Sequence, residues 1–175
     1  MKAVCRTPIW FISFVFQLIS KVFEKAVVGG TFDRFHIGHR RILKTAFETA
    51  GSVVIGLTSD EFANRFRSFM AMPYETRKKA VEEYAKKLGK PYEIVRIDDS
   101  YGIATIDPKL DCIVVSEETL LRAEEINAIR FKKNIPKLNM VVIPIILAQD
   151  GNPISSERII RREIDTEGKI GKTGR

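Results

Sequence analysis

At 175 residues the chain has room for one domain with a substantial core and is cramped for two, since a chain of about 150 residues hides roughly 70% of its unfolded surface. An apolar fraction of 45% beside 29% charged residues argues against disorder, and no repeat or low-complexity tract is present. The net charge of +7 invites a nucleic-acid partner, but Lys and Arg are interleaved with Asp and Glu without the aromatic-laced stripe of an RNA surface. The same field suits a small anionic substrate, so no nucleic-acid role is expected.

The chain opens with Lys2 and Arg6 ahead of PIWFISFVFQLIS, an apolar stretch of 13 residues, too short for the ~20 of a membrane span and without a small-residue cleavage site behind it. Phe11, Phe14, Val15, Leu18, Ile19 and Val22 recur at helical spacing and predict an appended apolar helix within an N-terminal extension, residues 1–24. The competing reading is a start-site extension with no role of its own. Membrane contact through residues 8–23 is conceivable and not favoured.

From Lys25 onward apolar runs alternate with helical patterns. KAVVGG predicts a strand, GHRRILKTAFETA a helix stopped by Gly51, and SVVIGLTSD a second strand. DEFANRFRSFMAM reads as a helix running into a basic loop. PYETRKKAVEEYAKKLG is a helix between Pro73 and Gly89, YEIVRID a third strand and DCIVVS a fourth. EETLLRAEEINAIRFKKN is a long helix and NMVVIPIILA a fifth strand. Unbroken Val and Ile runs separated by amphipathic helices predict a Rossmann-like doubly wound parallel five-stranded sheet of the α/β class, one domain over residues 25–168. Gly168, Gly171 and Gly174 predict a frayed basic tail over 169–175. Cys5 and Cys112 make neither metal spacing nor a disulfide framework, and they fit a reducing, cytoplasmic setting.

In such sheets ligands sit beyond the carboxyl ends of the strands. The first strand runs into VVGGTFDRFHIGH, which holds both histidines of the chain, His36 and His39. A helix starting near Gly38 turns free N–H groups toward the crevice. Gly29 and Gly30 would let the backbone turn sharply near a phosphate, and Gly38 would leave room for a nucleotide. Metal ligation by the pair lacks a third histidine or a nearby cysteine. A structural role, one ring capping the helix and one in the core, also competes. The favoured reading turns both imidazoles toward a polyphosphate, where a neighbouring anion favours the protonated ring. The last strand leads into ISSERII, where Ser155 and Ser156 offer hydroxyls and N–H groups at a helix start and Arg158 a fixed cation; alone this would read as a plain serine cap.

HIGH matches the HxGH signature of the nucleotidyltransferase superfamily. GGTFDRFHIGH, with GLTSDEF, PYETRKKAVEEY, IVVSEETLLRAEEINAIR and VVIPIILAQDGNPISSERI in that order, resembles the archaeal and eukaryotic type of phosphopantetheine adenylyltransferase, over about Lys25 to Gly168. ISSERII is similar to that family's ISSTRIR, with Glu157 in place of Thr and Ile160 in place of a frequent second basic residue. The resemblance implies transfer of the adenylyl group of ATP to the phosphate of 4′-phosphopantetheine, giving dephospho-coenzyme A and pyrophosphate, in coenzyme A biosynthesis. A phosphate monoester has its second pKa at about 6, so the acceptor needs alignment rather than a general base.

The roles implied are His39 on the α-phosphate in the transition state, His36 orienting ATP, and Thr31 with the Gly30–Phe32 backbone on the incoming phosphate. Gly29, Gly30, Phe32 and Gly38 would bound the ATP site. Ser155, Ser156 and Arg158 would take the leaving pyrophosphate, with Mg²⁺ arriving with ATP and held mostly by phosphate oxygens and water. No residue set is expected to hold a metal on its own; Asp33 either assists the ion or caps the loop. Arg65 and Arg67 are candidates for the acceptor phosphate or a solvated face, and Ser116 and Thr119 for the substrate. Arg77 reads as a helix ion pair, and Asn127 and Arg130 as packing or surface. Rivals are another HxGH transferase making FAD, NAD or a CDP-alcohol, and a non-catalytic nucleotide or RNA-binding module.

Overall fold

A computed structural model describes residues 22–65 and 67–171. Its strands are β1 (Phe23–Gly30), β2 (Ala50–Thr58), β3 (Tyr92–Ile97), β4 (Cys112–Ser116) and β5 (Asn139–Ile143). They pair in parallel in the order β3-β2-β1-β4-β5. The helices are α1 (Ile37–Thr49), α2 (Asp60–Asn64), α3 (Tyr74–Leu88), α4 (Leu120–Lys132) and α5 (Ser156–Ile160). Single 3₁₀ turns cover Gly102–Thr105 and Glu117–Thr119. The expected helix of the extension falls on residues outside those described. None of the described helices is long and apolar enough to cross a membrane.

Because successive strand residues face opposite ways, β1 feeds two cores. Ala26 and Val28 pack with Leu43 and Phe47 of α1 and Val81 and Ala85 of α3 on one face. Val27 packs with Ile113 and Val115 of β4 and with Ala123 and Ile126 of α4 on the other. Cys112 belongs to the first core, where burial pushes its thiol up to about 12 and leaves it inert. The strand order reverses between β1 and β4, so their carboxyl ends open a crevice there.

Three boundaries differ from expectation. Helix α1 ends at Thr49 without using Gly51, because side chains satisfy its last carbonyls. Lys90 Nζ donates to the carbonyls of Phe47 and Ala50, and Thr49 Oγ1 to that of Thr45, so β2 starts at once. Strand β5 stops at Ile143, since Pro144 has no N–H to continue the ladder, and the remaining PIIL becomes wall and loop. Of the tail expected over 169–175, residues 172–175 lie outside those described, while residues 163–171 do not fray. They form a small hairpin with an antiparallel bridge between Ile164 and Ile170, turned at Gly168 with φ of 78°, and Gly171 N–H donates to the Glu163 carbonyl. The hairpin docks on the start of α1, where Ile37 N–H donates to Thr166 O at 2.9 Å and Arg40 pairs with Glu167 at 2.5 Å.

Asn127 and Arg130 of α4 are packing residues. Asn127 exchanges two hydrogen bonds with the Leu138 backbone. Arg130, fully buried, donates to the carbonyls of Ala104, Asp107, Leu110 and Pro136 and so ties the β3–β4 connection and the α4–β5 loop to α4. Arg130→Met keeps the stem and strands four carbonyls, two of them buried and two partly so, and should lower stability by about 3 kcal/mol, read as a lower denaturant midpoint at unchanged slope.

Candidate active site

A cavity of about 490 Å³ lies beyond the ends of β1 and β4. Its wall brings together Gly29, Gly30, Phe32, His36, Gly38 and His39 from the first motif with Ser155 and Ser156 from the last, and adds Ser116 and Thr119 after β4. The two motifs are joined directly: Ser156 Oγ donates to the Asp33 carbonyl at 2.7 Å.

The turn between β1 and α1 is not made by its glycines. Gly29 and Gly30 lie in β1, and the left-handed residues are Phe32 (φ 51°) and Arg34 (φ 49°). Non-glycine residues adopt this conformation at a cost of about 1 kcal/mol each. Here the cost is offset by side chains that seize the turn. Asp33 Oδ1 accepts the Met72 N–H at 2.9 Å, Arg77 Nη1 donates to the Thr31 carbonyl at 2.9 Å, and the buried Phe32 ring packs 5.3 Å from that of His39. Asp33 is thus a loop-capping residue.

His36 is the N-cap of α1, and the two imidazoles stack with centroids 3.7 Å apart at 25°. His39 Nδ1 accepts the His36 N–H at 3.4 Å, which places the proton of neutral His39 on Nε2. Gly38, on the cavity wall, also leaves room for this pair, for a Cβ there would sit 3.1 Å from the His36 ring. Burial, then Arg40, lowers His36 to about 4 against a smaller opposing pull from Asp33. Burial, then His36, Arg67 and Arg40, holds His39 well below 6.5. In the free protein the pair is therefore neutral at pH 7, and protonation would need a bound anion to offset the cations.

Not every expected residue reaches the cavity. Thr31 is absent from the wall and contributes its carbonyl to Arg77. Arg65 lies away, its guanidinium 5.8 Å over the Phe62 ring, whereas Arg67 is on the wall together with Ser68 and Phe69. Arg158 is also off the wall: it is drawn to Asp150, to Glu163 at 3.0 Å and to the Pro153 carbonyl at 3.0 Å, two carboxylates being stronger partners than open solvent. Glu157 and Ile160, the two departures from the family motif, do line the cavity, with the Glu157 carboxylate held by Arg161 at 2.6 Å. Sequence reading missed the wall formed by Pro144, Ile145 and Ile146, whose strand-like composition concealed the proline stop. It also missed a second cavity of about 470 Å³ on the other side of the β1 end, which shares Gly29, Gly30, Glu118 and Thr119 with the first and is otherwise walled largely by Ile97, Ile103, Val115 and Ile126.

The neutral pair has a thermodynamic signature. In the unfolded chain each imidazole takes a proton near 6.5, and in the folded chain His36 does so only at about 4. Stability from this source is full above 6.5 and falls as pH drops toward 4, because the unfolded state then binds the extra protons. Denaturant midpoints measured from pH 7.5 to 4.5 should decline, and His36→Asn should flatten part of the decline.

The cytidylyltransferase-like family model matches residues 27–162. The phosphopantetheine adenylyltransferase of Methanothermobacter thermautotrophicus is 45% identical over 154 residues, covering 88% of this chain and 93% of that protein. The bifunctional phosphopantetheine adenylyltransferase/NTP phosphatase of Thermoplasma acidophilum is 46% identical over 143 residues, 82% of this chain and 44% of that longer protein. Among solved structures, a protein of unknown function from Archaeoglobus fulgidus superposes with a TM-score of 0.61 at 33% identity, covering 68% of this chain and 88% of its own. The chain belongs to the cytidylyltransferase-like family, in the company of the archaeal proteins named phosphopantetheine adenylyltransferase.

Proposed function

We propose that the protein transfers the adenylyl group of ATP to 4′-phosphopantetheine, releasing pyrophosphate. The observation that carries this reading is the meeting, in one cavity, of the stacked histidine pair and the Ser155–Ser156 helix start, with a second, largely apolar cavity opening from the same two glycines. ATP takes the first cavity and the acceptor arm the second, so the acceptor phosphate and the α-phosphorus meet beside Gly29 and Gly30.

The acceptor is largely dianionic at neutral pH, and the site's work is to align two anions and relieve their repulsion. His39 offers its Nε2–H to the α-phosphate, and His36 fixes the rotation of that ring by stacking on it. Thr31 acts through the turn it anchors, whose backbone faces the incoming phosphate. Ser155 Oγ accepts the Arg158 N–H and keeps its own hydrogen for the pyrophosphate, while the Ser156 hydroxyl is committed to Asp33. Arg67 supplies the cation at the rim that Arg158, engaged elsewhere, does not. Mg²⁺ would enter as its ATP complex, held mostly by phosphate oxygens and water, and would neutralise the polyphosphate.

The decisive assay is ATP–pyrophosphate exchange run in parallel with phosphopantetheine, FMN, nicotinamide mononucleotide and glycerol phosphate; turnover with any but the first would reassign the acceptor. His39→Ala should lower kcat at least about tenfold with a smaller change in the KM for ATP. Arg67→Ala should raise the KM for ATP by about tenfold, more than Arg158→Ala does, and the reverse order would return Arg158 to the phosphates.

A further inference from the structure

Arg77 is the fourth residue of α3, a cation in the first turn of a helix, where the dipole disfavours it. It is 1% exposed and, among the described residues, carries one ion pair, with Asp60 at 2.7 Å. Its other bonds go mainly to carbonyls, Nε to Met72 at 2.7 Å and Nη1 to Thr31 and Thr58 at 2.9 Å each, with the Thr58 hydroxyl 3.4 Å from Nη1. One planar fork therefore joins the turn after β1, the end of β2, the start of α2 and the segment entering α3. The Met72 peptide groups are held from both sides, since its N–H is taken by Asp33 Oδ1. Upstream on the same segment, Arg67 Nη1 stands 3.7 Å from Asp33 Oδ2, a buried oxygen with no hydrogen-bond partner among the described residues.

We propose that Arg77 is a positioning residue for the reaction: its guanidinium sets the separation between the Thr31–Phe32 turn and the Arg67 segment, and thereby the charge that Arg67 presents to His39. Arg77 lines neither cavity. Lysine cannot replace it, because a single ammonium centre cannot reach Met72, Thr31, Thr58 and Asp60 in one fork. The groups acting on His39 are His36, Arg67 and Arg40, and Arg67 is the one whose segment Arg77 holds.

The full chain has two histidines, so its imidazole Cε1–H signals are readable by NMR, with His36→Asn to assign them. Arg77→Lys conserves charge, so any titration change reports displacement. The His39 midpoint should rise by roughly half a unit or more toward its ordinary value, as in Arg67→Ala, and kcat should fall about tenfold with KM for ATP changed less than about threefold. Earlier melting with unchanged imidazole titration and unchanged kcat would make Arg77 a structural residue only and end the proposal. Should Arg77→Lys not fold, Asp60→Asn decides. By charge alone, loss of an anion lowers a histidine midpoint; a rise for His39 reports a loosened clamp, while a fall or no change overturns the idea. The turnover arm rests on the adenylyl-transfer reading. The titration arm is measured without substrate, so a failed acceptor panel would sink that reading and leave this one standing.

Discussion

The hydrogen bond from the Ser156 hydroxyl to the Asp33 carbonyl spans 123 residues of sequence and decides whether there is one site or two half-sites. A parallel sheet delivers its strand ends to one edge, but it does not by itself fix how the loops beyond that edge meet. This bond does so, helped by the 163–171 hairpin that takes the first N–H of α1. With both in place, the histidine pair and Ser155 share a wall.

Two arginines are buried among the described residues, one at each edge of the sheet: Arg77 beyond the ends of β1 and β2, and Arg130 before the starts of β4 and β5. Loops that enter or leave the strands carry carbonyls that no ladder satisfies, and an unpaired buried carbonyl costs more than a made hydrogen bond gains. Arg77 and Arg130 each gather several such groups with one rigid fork, on opposite faces of the sheet. Charge near the histidines obeys a related economy: cations stand close by in the free protein, the rings stay neutral, and the surplus positive field is available to a polyphosphate.

Much of this was legible in the sequence. The Val and Ile runs announced the five strands, Pro73 and Gly89 bracketed α3, and HIGH with ISSER located the crevice. What escaped notice depended on partners distant in sequence. Nothing local in SSERII says that Asp150 and Glu163 will claim Arg158, and nothing in NRFRS separates Arg67 at the cavity from Arg65 at Phe62. Gly51 looked like a helix stop, whereas Lys90, some forty residues on, supplies the terminating hydrogen bonds. Arg77 did leave a local trace, a positive charge at the wrong end of a helix, which a plain ion-pair reading explains poorly.

The docked hairpin also sets an order of events during synthesis. All five strands precede residue 144, so the sheet can pair while the ribosome still holds the C-terminal residues. The start of α1, made more than a hundred residues earlier, waits for Thr166 and Glu167 to emerge before its first turn is complete. A chain released near residue 162 would leave the first N–H of α1 without Thr166 and Arg40 without Glu167.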